Sequence, residues 1–232
     1  MRKKTRTLLL APLLALGLLL GFGAGPAHAA AWTSSDQWGT WNNGGYILYN
    51  NIWGSGAGTQ TIWADSYRSW GVTANHPNTG GVKSYPNATR PINRQLGSLT
   101  SLNSTFAVTV PSAGAYATAY DIWANNHAYE IMLWMNRYGP VGPIGGQVAT
   151  VTVGGHTWAV HRGSNGSNEV FSFVRQSNTS SGSVDIRAVL NWIRSQGWFG
   201  NVTVDTVQFG YEITSSSGGL NFTTRDFSVS YG

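Results

Sequence analysis

The stretch Tyr129-Glu130-Ile131-Met132-Leu133-Trp134-Met135-Asn136 decides the fold class. Read as an extended strand, it sends Glu130, Met132, Trp134 and Asn136 to one face and Ile131, Leu133 and Met135 to the other. The second face is core. The first mixes an acid, an amide and an indole, which is the dress of a sheet surface that touches something other than its own interior. Thr206-Val207-Gln208-Phe209-Gly210-Tyr211-Glu212 repeats the arrangement, with Val207, Phe209 and Tyr211 opposed to Gln208, Gly210 and Glu212. In Tyr120-Asp121-Ile122-Trp123 the aspartate and the tryptophan share a face.

Outward from these three segments the chain is short apolar and aromatic runs broken by Gly, Asn, Ser and Pro, the pattern of antiparallel strands joined by tight turns. Strands are expected at Tyr46 to Tyr49, Thr105 to Val110, Tyr116 to Trp123, Tyr129 to Met135, Gln147 to Val153, Thr157 to His161, Val170 to Val174, Thr203 to Glu212 and Phe222 to Ser230. One helix is expected from Asp185 to Gln196, where Ile186, Val189, Leu190 and Ile193 fall at i, i+3, i+4 and i+7, with Ser183 as its cap and Gly197 as its stop. Nine strands and one helix predict an all-β sandwich. No linker, internal repeat or charge block divides residues 30–232, so they read as a single domain.

The N-terminus reads differently. Arg2, Lys3, Lys4 and Arg6 precede an apolar run from Leu8 to Phe22, and Ala27-His28-Ala29 offers a small-x-small cleavage pattern, so residues 1–29 are expected to be a secretory signal peptide. A transmembrane anchor competes with that reading, but the run is short for a bilayer, Pro12 interrupts it and nothing like it recurs. The expected destination is extracellular, for a bacterial enzyme on the general secretory route, with no membrane contact after cleavage. Losing four basic residues and no acid lowers the formal net charge from +5 to +1. The ten remaining basic residues are spread singly from Arg68 to Arg225, which argues against a nucleic-acid partner. The absence of cysteine excludes a disulfide scaffold, a thiolate zinc site and a thiol nucleophile.

Among familiar catalytic motifs the chain has no G-x-S-x-G elbow, no phosphate-cradling Gly-Lys-Ser/Thr loop and no H-E-x-x-H pair. His156 and His161, five apart on one strand, point to opposite faces and are expected to be ordinary surface or edge residues, so neither metal nor cofactor is expected. Glutamate, by contrast, is scarce: Glu130, Glu169 and Glu212 are the three, and two of them interrupt strands that should be buried. Isolated acids on the wet side of a sandwich would be unremarkable, but the three strands that carry Asp121, Glu130 and Glu212 offer them beside aromatic and amide groups. Sugar chemistry asks for that set, with one acid to protonate a leaving oxygen, one carboxylate to attack the anomeric carbon and flat rings for the apolar sugar faces.

At these residues the sequence resembles glycoside hydrolase family 12, secreted β-jelly-roll endo-β-1,4-glucanases, over most of residues 30–232. Tyr49-Asn50-Asn51-Ile52-Trp53-Gly54, Val82-Lys83-Ser84-Tyr85-Pro86-Asn87, Ala119-Tyr120-Asp121-Ile122-Trp123, Tyr129 to Trp134, Gly139-Pro140-Val141-Gly142-Pro143-Ile144-Gly145 and Phe209-Gly210-Tyr211-Glu212 follow the family's landmarks in order. The resemblance implies two stacked sheets, a concave cleft for β-glucan and a retaining double displacement. In it Glu130 is the nucleophile, Glu212 the acid/base and Asp121 the assisting aspartate. Trp53 matches a stacking platform, Asn51 lies two residues before it on the same face of an extended segment, and Met132 matches a methionine beside the nucleophile. Trp123 and Trp134 are candidates for cleft floor or packing. Ser35 and Thr61 lie where many members carry a disulfide, the Ala124-to-Ala128 connection is short, and His161 replaces a usual aromatic residue.

A monomer cutting cellulose-type polysaccharide is the expectation, with a xyloglucan-specific or mixed-linkage hydrolase as the alternative. A β-sandwich lectin or a wall-loosening protein would share the aromatic groove without needing paired acids.

Overall fold

The computed structural model describes residues 29–232, so the expected signal peptide, 1–29, lies outside the described residues but for Ala29. The strands are β1 Trp32–Ser34, β2 Thr40–Asn43, β3 Tyr46–Tyr49, β4 Thr59–Ser66, β5 Ser69–Asn75, β6 Asn87–Gln95, β7 Leu102–Thr109 and β8 Ala115–Ala124. They continue as β9 Tyr129–Tyr138, β10 Gly146–Val153, β11 His156–Ser164, β12 Glu169–Arg175, β13 Ser181–Asp185, β14 Thr203–Ser215 and β15 Leu220–Tyr231. Six strands form one sheet in the order β1-β4-β5-β15-β7-β13, and nine form the other in the order β10-β11-β12-β9-β8-β14-β6-β3-β2. All pairs are antiparallel except β9 with β12. Two antiparallel-dominated sheets with one α-helix make the expected jelly-roll sandwich.

Each of the nine expected strands is present, with ends shifted by a few residues. β1, β2, β4, β5, β6 and β13 are additional to that expectation. The inward rows of both sheets meet in one core, in which Tyr120, Phe209 and Phe227 from the two sheets sit with ring centroids 4.8 to 6.3 Å apart. The alternation of β14 holds over the stretch that matters: Val207, Phe209 and Tyr211 are fully buried in that core, and Gln208 and Glu212 are not.

In β9 the alternation fails at its end. Thr118 pairs with Asn136 but Ala119 pairs with Trp134, so Met135 is an extra residue. This bulge turns Asn136 away from the row of Glu130, Met132 and Trp134, where strict alternation had put it, and its side-chain amide donates to Thr179 O at 3.3 Å.

The helix, α1, spans Ile186–Ser195 and buries Ile186, Val189, Leu190 and Ile193 as expected. Its cap is Asp185, whose Oδ1 accepts from Ala188 N at 2.9 Å; the expected cap, Ser183, is held instead in β13 opposite Thr105. Gly197, with φ 70°, ends it. At the other end of the chain Ser35 Oγ and Thr61 Oγ1 are hydrogen-bonded at 2.8 Å, a polar contact at the place where the family resemblance locates a disulfide.

Candidate active site

β8 is the middle of the site. It pairs with β14 so that Asp121 faces Gln208 and Ala117 faces Glu212, and with β9 so that Trp123 faces Glu130 and Asp121 faces Met132. Three carboxyl groups on three adjacent strands are thereby turned to the same concave face, away from the core. Ala117, Ala119, Met132, Trp134 and Val174 pack together beneath them as a small apolar floor.

The cleft above this floor has a volume of about 430 Å³. All eight residues expected at the site line it: Asn51, Trp53, Asp121, Trp123, Glu130, Met132, Trp134 and Glu212. Trp53 is 52% exposed and offers an open ring face, whereas Trp134 at 3% and Met132 at 6% belong to the floor. Asn51 is not in an extended segment: its φ is 46°, a left-handed turn that its amide fixes by donating to Tyr85 O at 3.0 Å. His156 and His161 lie outside the cleft, His156 Nε2 contacting Ser183 O at 2.8 Å, and among the described residues no cluster could hold a metal ion.

The backbone has to come close for this wall to exist. Residues 82–86 run between the Trp53 segment and β14: Trp53 N and Gly54 N donate to Lys83 O at 3.1 and 2.8 Å, and Lys83 N donates to Ile213 O at 2.8 Å. Gly210 permits the passage, since a Cβ there would stand 2.0 Å from Pro86 O.

Sequence reasoning missed four contributors. Tyr85 closes the floor, its hydroxyl donating to Ala119 O at 3.1 Å. Gln208 shares the cleft row with Glu212. Asn165, in the β11–β12 turn, donates to Glu130 Oε2 at 3.2 Å, while its Oδ1 accepts from Ser167 N and Asn168 N at 2.9 and 2.8 Å, which settles which end of the amide faces the acid. His127 lies 4.9 Å from the Trp123 ring, on a turn in which Asn125, Asn126 and His127 all have positive φ. A polar face on β14 was the one available signal, for Gln208; the others come from loops whose position no local pattern encodes.

Among the described residues no lysine or arginine lines the cleft. Burial therefore raises the acids without compensation. Glu130 is pushed up to about 7 by burial, against the lowering effect of the Asn165 hydrogen bond. Glu212 is pushed up to about 7 by burial and then by the charge of Glu130. Asp121 stands well above the usual carboxylate range because of burial and then the charges of Glu130 and Glu212, and its Oδ1 has no hydrogen-bond partner. Glu169, the third glutamate, is outside this group: its Oε1 accepts from Arg162 Nε at 3.0 Å.

A sandwich whose concave face gathers two glutamates, an aspartate and tryptophan rings has the equipment of a glycoside hydrolase. The chain belongs to glycosyl hydrolase family 12, whose profile matches residues 44–231. It is 36% identical over 236 residues to a probable xyloglucan-specific endo-β-1,4-glucanase A of Aspergillus fumigatus, covering 94% of this chain and 98% of that one. Among solved structures it is similar to the xyloglucanase domain of NopAA, a type three effector from Sinorhizobium fredii, in complex with cellobiose, with 40% identity, a TM-score of 0.85, and coverage of 88% of this chain and 100% of that one. A native family 12 xyloglucanase from Bacillus licheniformis is 30% identical with a TM-score of 0.76, covering 87% of this chain and all of that one.

The raised acids tie stability to pH. Their folded values near 7 exceed the ordinary 4.5, so the folded state holds more protons between those limits. The contribution is complete below about pH 4.5 and is lost as the pH rises through about 7. Glu130→Gln and Glu212→Gln should each raise the unfolding free energy at neutral pH by on the order of 2 kcal/mol and change it little near pH 4. Urea unfolding at the two pH values measures the difference.

Proposed function

We propose that this glycoside hydrolase is a secreted, monomeric, retaining endo-β-1,4-glucanase in which Glu130 is the nucleophile, Glu212 the acid/base and Asp121 the assisting acid. The observation that carries the reading is the grouping of the three acids over one apolar floor with unequal partners. Glu130 receives the Asn165 N–H, which favours its anion, while the charge of Glu130 favours the neutral form of Glu212. When the pair bears one proton, that proton belongs on Glu212.

In the first step the Glu130 carboxylate attacks the anomeric carbon while Glu212 gives its proton to the leaving glycosidic oxygen, forming a glycosyl-enzyme ester. In the second, the Glu212 carboxylate takes a proton from water, the water oxygen attacks the same carbon and the ester bond to Glu130 breaks, with net retention. Asp121, pushed toward its neutral form by burial and by both glutamates, can in that form offer an O–H to the nucleophile's carboxylate. Trp53 supplies a stacking face for a sugar on the polymer side of the cleft.

Between unbranched and branched glucans, the names of the Aspergillus fumigatus, Sinorhizobium fredii and Bacillus licheniformis proteins favour xyloglucan. The short Asn125–His127 turn, which adds little bulk beside Glu130, agrees with a branched chain. A panel of carboxymethyl cellulose, mixed-linkage glucan and xyloglucan should give the highest kcat/KM on xyloglucan; a preference for the unbranched polymers by about tenfold would reverse the assignment.

The roles separate by rescue. With an aryl glycoside of good leaving group, Glu212→Ala should recover turnover in azide and yield the β-azide, since the ester to Glu130 still forms. Glu130→Ala should give the inverted α-azide by direct attack. Exchanged stereochemistries would exchange the two residues.

Export rests on the basic and apolar start, read as a bacterial signal peptide. No helix among the described residues is long and apolar enough to cross a membrane. Sequencing the secreted product should find its first residue close to Ala30.

A further inference from the structure

Beneath the wall that carries Trp53 lies a buried polar cluster. His76, Ser84, Asn50 and Ser216 are 0% exposed and Gln60 is 2%. Gly58 N donates to His76 Nδ1 at 3.0 Å, so that nitrogen is the acceptor and Nε2 carries the hydrogen of a neutral ring. Nε2 lies 3.0 Å from Gln60 Oε1 and 3.2 Å from Ser84 Oγ, and Ser84 Oγ donates to the same Gln60 oxygen at 2.7 Å. Gln60 Nε2 in turn donates to Asn50 O and Asn50 Oδ1 at 2.7 and 2.9 Å. His76 N donates to Ser216 Oγ at 2.9 Å and Ser216 N to His76 O at 3.0 Å.

Each end of this cluster leads into the cleft. Asn50 immediately precedes Asn51. Ser84 precedes Tyr85 and is bridged to Ile52 on one side and Ile213 on the other, and Ile213 follows Glu212. We infer that His76 is a positioning residue for the cleft, its neutral imidazole fixing the wall of Asn51, Trp53 and Tyr85 against the strand that carries Glu212. Nothing in the ring touches substrate; it acts through Gln60 and Ser84.

Protonation would undo the arrangement, because a hydrogen on Nδ1 would confront the Gly58 N–H with no acceptor between them. The groups packed around the ring from Gly58, Gln60 and Ser216 are neutral, and Lys83, beside Ser84, is the charge that acts on it, in the same direction as burial: both hold the imidazole below the ordinary histidine value. The wall is therefore set at neutral pH and loosened by acid.

Only the kinetic arm of the test rests on the glucanase reading. On whichever polymer of the panel the parent cuts best, His76→Ala should raise KM about tenfold and leave kcat within about twofold, because the acids keep their strands. His76→Gln keeps an N–H directed at Gln60 and cannot titrate. It should restore KM to within about threefold and should remove the rise in KM expected of the parent as the pH falls below the ordinary histidine value. Hydrogen exchange needs no substrate. In His76→Ala the amides of Trp53 and Gly54 should exchange about tenfold faster, and those of Ile131 and Leu133 in β9 should not change. Unchanged KM and exchange, an exchange increase shared equally by β9, or a failure of His76→Gln to rescue would each overturn the inference. Should His76→Ala not fold, His76→Asn, which keeps the acceptor for Gly58 but falls short of Gln60, takes its place; parent-like KM in that variant would also overturn it. A parent inactive on every polymer would defeat the glucanase reading and leave the exchange result to decide the role of His76.

Discussion

Three carboxyl groups share a concave face that offers them no cation, and the rest of the molecule is arranged so that this can persist. Leaving a charge without a partner in a partly buried site is costly, and the protein meets the cost by raising the acids instead of neutralising them. Glu169, on β12 opposite Tyr129, shows the other solution, where Arg162 pairs with it and stacks over Phe171 and Trp198. The first arrangement keeps protons exchangeable at neutral pH, as bond cleavage requires. The second only holds two strands together. The apolar rows of β8, β9 and β14, buried against the other sheet, supply the stability that the cleft face gives up.

What could be read in advance divides along physical lines. Alternation over Tyr129 to Trp134 and Val207 to Glu212 is a consequence of one buried and one working face, so the side on which the acids stand could be read before the fold was seen, while Trp134 stayed open between cleft floor and packing. The bulge at Met135 leaves no mark in composition, and Asn136 was accordingly put on the wrong face. β13 has one buried residue, Val184, and exists through its pairing with β7. β6 contains Pro91 opposite a register shift in β14, a residue that argues against a strand when read alone. Asn165, Tyr85 and His76 belong to segments that only the tertiary fold brings to the cleft, and single-sequence patterns carry no distance information of that kind.

The two rims of the cleft are held in different ways. Its Trp53 wall is tied by backbone bonds into β14 and by the His76 cluster from below, whereas the opposite rim consists of the β11–β12 turn and the Gly139-to-Gly145 loop. One rim is therefore fixed by strand-like backbone pairing and the other by the side-chain hydrogen bonds of a turn, such as those of Asn165.

The Ser35–Thr61 contact bears on where such a chain can mature. With no sulfur cross-link to form, folding needs no thiol oxidant and no disulfide exchange, and the folded state is indifferent to the thiol potential of its surroundings. A reductant that cleaves disulfides in other proteins finds nothing to reduce here.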